Sequence, residues 1–330
     1  MKTYSDFHRR LHRWYRLQGR HHLPWRNTKD PYHIWLSEVM LQQTQVQTVL
    51  DRYYQPFLER FPTIESLAQA DSQEVLKLWQ GLGYYNRAKN LHKAAQIIGK
   101  KLPETVEMLM QLPGIGRNTA HAIAVFAYHQ PVAVMEANLK RVLCRIFALE
   151  TPTENELWQK AGELLDTDKP FNYNQAMMDL GAMICTPEAP QCLLCPAAKT
   201  CAGKASPKSY PVGKLKKVLP LREHKIVLFT DPHGSIHIHQ RDGKFLHGMW
   251  SFMEYESSVD TAYFENQAYP FSRMKKLGEV SHAYTHFQYH AVVYVQKISR
   301  SFGANEGKRP AVIERLPLSR IEIKILKLLK

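Results

Sequence analysis

The chain has 330 residues and carries 44 Lys and Arg against 30 Asp and Glu, a formal net charge of +14 at pH 7. This length allows two ordinary domains, each with its own core; the positive surplus favours nucleic acid as a partner over a merely soluble basic protein. No apolar run approaches the roughly 18 residues of a membrane span, and the N-terminus lacks an apolar signal segment. We therefore expect a soluble, cytoplasmic protein, associated with the nucleoid if it is bacterial.

Up to about Lys204 the pattern is helical, with short breaks rich in Pro and Gly. One helix is predicted to start at Pro31 with Asp30 as its N-cap. Glu38 is its only acid and lies in an apolar surround that includes Trp35, Leu36 and Val39. Most helical glutamates point to water, and periodicity alone favours that reading. A carboxylic acid held against apolar neighbours would instead have a raised pKa and could donate a proton near neutral pH.

Two glycine-containing turns follow within the helical part. The run GLGYY places Tyr84 and Tyr85 after flexible glycines, although core or surface packing would explain two tyrosines equally well. The run LPGIG contains Gly114 and Gly116 and leads into another helical segment. Glycines let backbone N–H groups approach a phosphate closely, and a helix start adds partial positive charge. Any connection between helices can use such a turn, so the pattern alone is a weak signal.

Four of the five cysteines lie in one short window, and Cys144 is the fifth. The four are Cys185, Cys192, Cys195 and Cys201. Thiolates gathered by one compact loop can hold an iron–sulfur cluster or a zinc ion. Two disulfides are a weaker alternative, because nothing in the sequence indicates a secreted chain. The spacing alone does not decide between iron and zinc.

After Lys204 the composition changes. Residues 205–219 are basic and contain prolines, which is typical of an interdomain linker. In residues 220–330, the runs KIVLFT, SIHIHQ and HAVVYVQKI predict strands, and the tail from Ile321 has helix-like spacing. We therefore predict a helical domain over 1–204, a linker over 205–219 and a mixed domain over 220–330.

Several of these segments together resemble the MutY type of adenine DNA glycosylase, within the endonuclease III or helix-hairpin-helix superfamily. The resemblance rests on LPWR, PYHIWLSEVMLQQTQV, LPGIG, NQAMMDLGA and the cysteine spacing. It implies a mostly α N-terminal helix-hairpin-helix glycosylase domain with a 4Fe-4S cluster loop. It also implies a smaller α+β, Nudix-like C-terminal domain that recognises 8-oxoguanine. The predicted cluster ligands are Cys185, Cys192, Cys195 and Cys201.

The resemblance assigns two catalytic carboxylates. The glutamate that matches Glu38 protonates adenine in this family, and an aspartate in an Asp-Gly-Asn segment stabilises the sugar cation. This chain reads Glu136-Ala137-Asn138 there, so we expect Glu136 to keep the role with a carboxylate one methylene further out, or to act slowly. Asn118 stands where members that also cut the strand have a lysine for a Schiff base. The resemblance therefore indicates base removal by water without a strong lyase step.

The family also implies a set of DNA contacts. The second glutamine of QQT and the first tyrosine of GLGYY enter the duplex, the hairpin holds phosphates, and a Phe-Ser-His loop, here Tyr-Thr-His, reads the damaged guanine. The alternative for the histidines of that region is a metal site, for which a strand context places them poorly. The predicted DNA-binding residues are Gln43, Tyr84, Gly114, Gly116, Asn118, Tyr284, Thr285 and His286.

Together these features predict a base excision repair enzyme that hydrolyses the N-glycosidic bond of adenine mispaired with 8-oxoguanine or guanine in double-stranded DNA. The adenine would be flipped out of the stack, and a monomer is expected. One rival is an endonuclease III-type pyrimidine glycosylase/lyase, which Asn118 disfavours. The other is a non-catalytic mismatch-binding module that lost turnover through the change at Glu136.

Overall fold

The chain is described by a computed structural model over residues 4–213, 218–303 and 305–329. It divides into two units: Met1–Gln69 with Lys93–Leu215, and Ala70–His92 with Lys216–Lys330. The second unit thus includes an internal segment of the helical half of the sequence. The linker and domain bounds drawn from composition remain predictions, and linker residues 214–217 lie outside the described ranges.

The helical prediction for the first two thirds of the chain is confirmed. The helices are α1 (Ser5–Gln18), α2 (Pro31–Leu41), α3 (Val46–Arg52), α4 (Tyr54–Arg60), α5 (Ile64–Ala68), α6 (Ser72–Leu78), α7 (Asn86–Ile98), α8 (Val106–Leu109), α9 (Arg117–Tyr128), α10 (Ala137–Phe147), α11 (Glu154–Leu164) and α12 (Pro170–Asp179). No helix of the described residues combines the length and apolar character that crossing a membrane requires.

Helix α2 is buried along most of its length. Asp30 caps it by accepting the N–H of Tyr32 at 2.8 Å, and Pro31 occupies the first turn, as the sequence predicts. Its residues from Ile34 to Met40 are all buried. A helix that is apolar on every side belongs inside a core, so an acid on α2 is withheld from water whichever way it points.

Helix α12 leads directly into the cysteine loop. It continues through a π-helical turn, Leu180–Ile184, before Cys185. Such turns insert an extra residue into a helix and often occur at functional sites. Beyond the cysteines, short 3₁₀ turns at Ala202–Ala205 and Pro207–Ser209 replace regular helix, as the prolines of this region predict.

The second unit contains the predicted strands. They are β1 (Leu221–Thr230), β2 (Ile236–His237), β3 (His239–Gln240), β4 (Trp250–Ser251), β5 (Met253–Glu256), β6 (Thr261–Phe264), β7 (Gln267–Pro270), β8 (Lys275–Ala283), β9 (Gln288–Lys297) and β10 (Gly307–Lys308). Two helices follow, α13 (Pro310–Ile313) and α14 (Arg320–Lys327), and the latter confirms the helical tail.

The main sheet of this unit is mixed. Its order is β10-β2-β1-β9-β8, and β5 also pairs with β1. Strands β1 and β9 are parallel, whereas β8 and β9 form an antiparallel pair. Ile321 and Ile325 of α14 pack in one apolar cluster with Ile226 of β1 and Val293 of β9. The α+β class predicted for the C-terminal part is therefore confirmed.

Candidate functional site

The first unit holds a pair of carboxyl groups that affect each other's ionisation. Glu38 on α2 is buried, with 6% of its surface exposed, and Glu136 precedes the first turn of α10. Burial, together with the charge of Glu136, raises the pKa of Glu38 well above its usual value, against an opposing effect of Arg26. Burial also raises the pKa of Glu136, while a hydrogen bond from Asn118 opposes the rise. Two carboxyls in such an environment favour sharing one proton.

The charge of Arg26 is already engaged elsewhere. Its guanidinium donates to both oxygens of the fully buried Asp179, at 2.7 and 2.8 Å. Arg20 adds its backbone N–H and its Nε at 2.8 and 2.6 Å. Burial alone would raise the pKa of Asp179, but these bonds and charges outweigh it and hold the pKa below its ordinary value. Because Arg26 is bound to an ionised partner, it offsets the raised pKa of Glu38 only in part.

Two buried polar atoms beside this ion pair have no hydrogen-bond partner within the described residues. One is Nε of Arg26, a donor, and the other is Oε1 of Gln175, an acceptor. Gln175 lies four residues before Asp179 on α12, and side chains at that spacing share one face of a helix. An unpaired buried donor and acceptor are unfavourable unless a ligand satisfies them.

Asn118 contacts Glu136 and the backbone before it at the same time. Its Oδ1 accepts the N–H of Met135 at 2.6 Å. With the oxygen fixed there, the amide NH₂ is left to donate to the carboxylate of Glu136, consistent with the hydrogen bond that opposes the raised pKa of Glu136. Ala137 begins α10, and neither Glu136 nor Ala137 is among the described residues with positive φ. Alanine therefore fits where the family usually has glycine.

Gly114 and Gly116 of the LPGIG turn and Gln43 of the QQT segment are exposed in the first unit. Gly114 has a φ of 78°, a conformation that favours glycine, and Gly116 is the N-cap of α9. Gln43 also has a positive φ, 56°, although it is not glycine. Such a conformation in a polar residue is uncommon and tends to occur where function requires it.

The four clustered cysteines line one small cavity of the first unit, and none of them forms a disulfide. Within the described residues, no three His, Cys, Asp or Glu side chains converge on a single point that could hold one metal ion. The thiols instead stand around a shared space. Burial raises the pKa of the Cys195 thiol to about 12 and that of Cys201 to about 11. Without a metal both would stay protonated.

Arg145 of α10 connects the cysteine loop to the helical core through hydrogen bonds. Its side chain is almost fully buried, and it donates to the carbonyl oxygens of Thr186 at 2.7 Å and Pro207 at 2.8 Å. It also lies 3.3 Å from Sγ of Cys185. Cys201 in turn donates its S–H to the carbonyl of Arg145 at 3.1 Å. A buried guanidinium bound to several carbonyls holds a loop that has little core of its own.

In the second unit, Tyr84, the wedge predicted to enter the duplex, contacts the recognition loop, which is the predicted guanine-reading segment 284–286. Tyr84 is 43% exposed and has a φ of 49°, and its hydroxyl lies 2.9 Å from Oγ1 of Thr285. Arg87 supports the wedge by donating to the carbonyls of Leu82 and Gly83 at 3.3 and 3.2 Å, with its guanidinium 5.4 Å from the Tyr84 ring centre. The wedge and the loop are 201 residues apart in sequence.

Tyr284, the aromatic residue of the recognition loop, is held by a chain of hydrogen bonds. Burial raises the pKa of Tyr284 to about 12, and its hydroxyl bonds with Ser319. Ser319 bonds to the buried Glu322, which also accepts from Arg241 at 3.2 Å. The hydroxyl that distinguishes Tyr284 from the family's phenylalanine thus has a partner of its own, while His286 is exposed.

The structure brings together Glu38, Glu136 and Asn118 in the first unit, and Tyr84 and Thr285 in the second. Sequence reasoning missed Arg26 as the partner of Asp179, together with Gln175 and Arg145. The first pair is 153 residues apart. A single sequence contains the motifs LPWR and NQAMMDLGA but no signal that joins them in space.

The chain is similar to several known proteins. Residues 36–166 match the family model described as HhH-GPD superfamily base excision DNA repair protein. The chain is 33% identical over 299 residues to the adenine DNA glycosylase of Buchnera aphidicola subsp. Schizaphis graminum, covering 87% of this chain and 86% of the relative. It is 40% identical over 218 residues to the adenine DNA glycosylase of the subspecies Acyrthosiphon pisum, with 63% and 62% covered.

A solved structure of a thermostable thymine-DNA glycosylase is also similar, with a TM-score of 0.57 and 28% identity. The match covers 61% of this chain and 96% of that one. The shared fold is therefore confined to about three fifths of the chain, whereas the first relative matches far more of it.

Proposed function

The chain belongs to the adenine DNA glycosylases of the HhH-GPD superfamily of base excision DNA repair proteins, and from that membership we propose that it excises adenine mispaired with 8-oxoguanine or guanine in duplex DNA. The observation that carries the proposal is the buried Glu38, whose raised pKa reflects both its burial and its neighbour Glu136. An acid that keeps its proton near neutral pH is what departure of a neutral purine requires.

Glu38 acts first in the proposed reaction. Its proton passes to the flipped adenine as the bond between the base and the sugar breaks, and the bonding electrons leave with the base. The sugar then carries positive charge, which the carboxylate of Glu136 offsets. Water adds to the sugar carbon and loses a proton, which restores the acid and completes hydrolysis. Asn118 takes no part in covalent chemistry, because an amide cannot replace the lysine of a Schiff base.

The orphaned donor of Arg26 and acceptor of Gln175 suit the flipped base. Adenine offers an acceptor at N7 beside a donor at N6. An N–H of Arg26 would donate to N7, and the amide oxygen of Gln175 would accept a hydrogen bond from N6. The guanine edge offers two acceptors instead, which would leave the oxygen of Gln175 unpaired. Base selection would then follow from the cost of a buried unsatisfied acceptor.

We propose a 4Fe-4S cluster as the group held by the four clustered cysteines. Thiols standing around a shared space fit a cluster, which is wider than one ion, and the spacing resembles that of the family's cluster loop. Bound iron would keep the buried thiols deprotonated. Its role in this chain would be to cross-link a loop that Arg145 already holds, and no step of the excision passes through it.

The cluster has a direct test. Anaerobically purified protein should be brown, with broad absorption near about 400 nm and iron in place of zinc. Cys192→Ser should lose iron and thermal stability together with activity, because the loop has little apolar core of its own. Cys144→Ser is the matched control, since that buried cysteine is outside the cluster set and its variant should keep the iron. Stoichiometric zinc without iron would contradict the assignment.

Three duplexes separate the candidate activities in single-turnover assays. We expect excision from A:8-oxoguanine and A:G and none from thymine glycol, with strand cleavage only after added base. Cleavage of thymine glycol with a borohydride-trappable intermediate would indicate the pyrimidine glycosylase/lyase. Binding of all mismatches without excision would indicate the non-catalytic module.

The recognition loop is tested by point changes in the full chain. Deleting the C-terminal part would also remove the partner of Tyr84, so a truncated protein confounds the wedge with the loop. His286→Ala should lower the preference for A:8-oxoguanine over A:G by about tenfold, the lower end of the about 1–3 kcal/mol that a good bidentate contact to a base edge supplies. Thr285→Val should lower it as well, but it also removes the hydroxyl that bonds with Tyr84, so this variant tests the loop and the wedge together. His233→Ala, an exposed histidine in a turn of the same unit, is the control. An unchanged preference in both loop variants would remove these residues from recognition.

A further inference from the structure

The recognition loop forms one wall of a well-defined cavity inside the second unit. The cavity has a volume of about 550 Å³ and lies between the wedge segment, the loop after β3 and the loop between β8 and β9. Pockets for small ligands and cofactors have volumes of about 300–1,000 Å³. A hydrogen bond between the hydroxyls of Tyr84 and Thr285 joins two of its walls.

The described Lys, Arg, Asp and Glu residues that line the cavity are all cationic. The lining contains four Lys and Arg side chains, and none of its described residues is Asp or Glu. Two of these cations, Lys244 and Arg320, are exposed. Arg320 is fixed toward the wedge by a bond to the carbonyl of Gly81 at 3.2 Å, and Lys89 bonds to the carbonyl of His247. A cavity bordered by such groups attracts an anion.

A cluster of aromatic rings forms the apolar part. The ring of Phe245 lies 5.1 Å from that of Tyr284 and 5.4 Å from that of Phe287, and Tyr284 is 5.0 Å from Phe287. Phe245 remains 41% exposed. Nucleobases stack on such rings whatever their sequence context. Rings for a planar base beside cations for a phosphate are the combination that a nucleotide needs.

We propose that this cavity binds a free purine nucleoside monophosphate, with its base against the rings of Phe245 and Tyr284 and its phosphate at Lys244 and Arg320. Because Thr285 and His286 also line the cavity, the ligand competes with damaged duplex for the recognition loop. An oxidised nucleotide from a degraded strand or from the nucleotide pool then lowers occupancy of lesions. The preference for an 8-oxopurine and the competition with damaged duplex rest on the proposed function.

Calorimetric titration of the full protein with 8-oxo-dGMP tests the proposal. We expect a Kd below about 1 mM, weaker binding of dGMP, and at least about tenfold weaker binding of 8-oxo-deoxyguanosine, which lacks the phosphate and its charged contacts. Lys244→Gln and Phe245→Leu should each weaken the binding of 8-oxo-dGMP by about five- to tenfold. Lys275→Gln removes the same charge from an exposed position of this unit outside the cavity and should bind as the native protein does.

The competition assay links the cavity to the recognition loop. 8-oxo-dGMP should displace an A:8-oxoguanine duplex, and this inhibition should weaken in Lys244→Gln but not in Lys275→Gln. Absence of binding at several millimolar, equal binding of nucleoside and nucleotide, or equal weakening by Lys275→Gln would each overturn the proposal. If nucleotide binding fails while adenine excision persists, only this inference falls. If the nucleotide binds while no duplex loses adenine, the proposed function is wrong and nucleotide binding in the cavity is supported.

Discussion

Glu38→Gln lowers the single-turnover rate of adenine excision by at least about 10²-fold, the usual effect of losing a general acid. Glutamine keeps the shape and hydrogen-bonding capacity of the protonated glutamic acid but has no proton to transfer. Because burial and the charge of Glu136 raise the pKa of Glu38 and so favour its neutral form, a neutral glutamine resembles the form that this site favours. Affinity for an A:8-oxoguanine duplex and thermal stability should therefore stay close to native.

The pH dependence gives a second readout of the same group. Glu38 is active only when protonated, and its folded-state pKa is raised, so the native rate should fall as pH rises through that pKa. In Glu38→Gln this alkaline decline should be absent from the residual rate. Glu59→Gln, which makes the same change at an exposed helical position, should alter neither rate nor profile. Native-like excision by Glu38→Gln would remove the general acid from the mechanism.

The sequence predicted the helix that carries Glu38 but not the burial of its side chain. Asp30 and Pro31 define the start of α2, whereas periodicity alone favoured a Glu38 that points to water, and that reading is wrong because Glu38 is buried. The pKa of Glu38 also depends on Glu136, nearly a hundred residues later, and on the extent to which Asp179 engages Arg26. Those are tertiary contacts, and no local propensity or periodicity contains them.

The division into units shows the same limit. Composition places a boundary near the basic linker because prolines and lysines cluster there. It gives no reason to group 70–92, a helical segment, with the C-terminal strands. That grouping depends on contacts such as Lys77 with the carbonyl of Leu316, and Tyr84 with Thr285. Since the predicted recognition loop and the predicted wedge belong to one unit and share a hydrogen bond, a change in either is expected to affect the other.

Glu136→Gln lowers the excision rate by about 10²- to 10³-fold without weakening duplex affinity. A fixed negative charge near the sugar stabilises only the cation that forms as adenine leaves, so its loss affects the transition state and not the bound substrate. The neutral amide retains most of the volume and can still bond with Asn118. Single-turnover rates with saturating enzyme, compared with equilibrium binding, separate the two effects. A native-like rate would leave Glu38 as the only catalytic carboxylate.

Glu136→Asp restores the residue type usual in the family, yet in this chain it should be slower than the native enzyme, by about tenfold. Asn118 is fixed by its bond to the N–H of Met135 at 2.6 Å, so its amide cannot follow a carboxylate that withdraws by one methylene. Asn118→Gln lengthens that amide by one methylene, and the double variant should recover part of the rate. A coupling of about 1 kcal/mol between the two positions is expected for residues in direct contact. If Glu136→Asp alone matched or exceeded the native rate, the longer side chain would be a handicap and not an adaptation to Asn118.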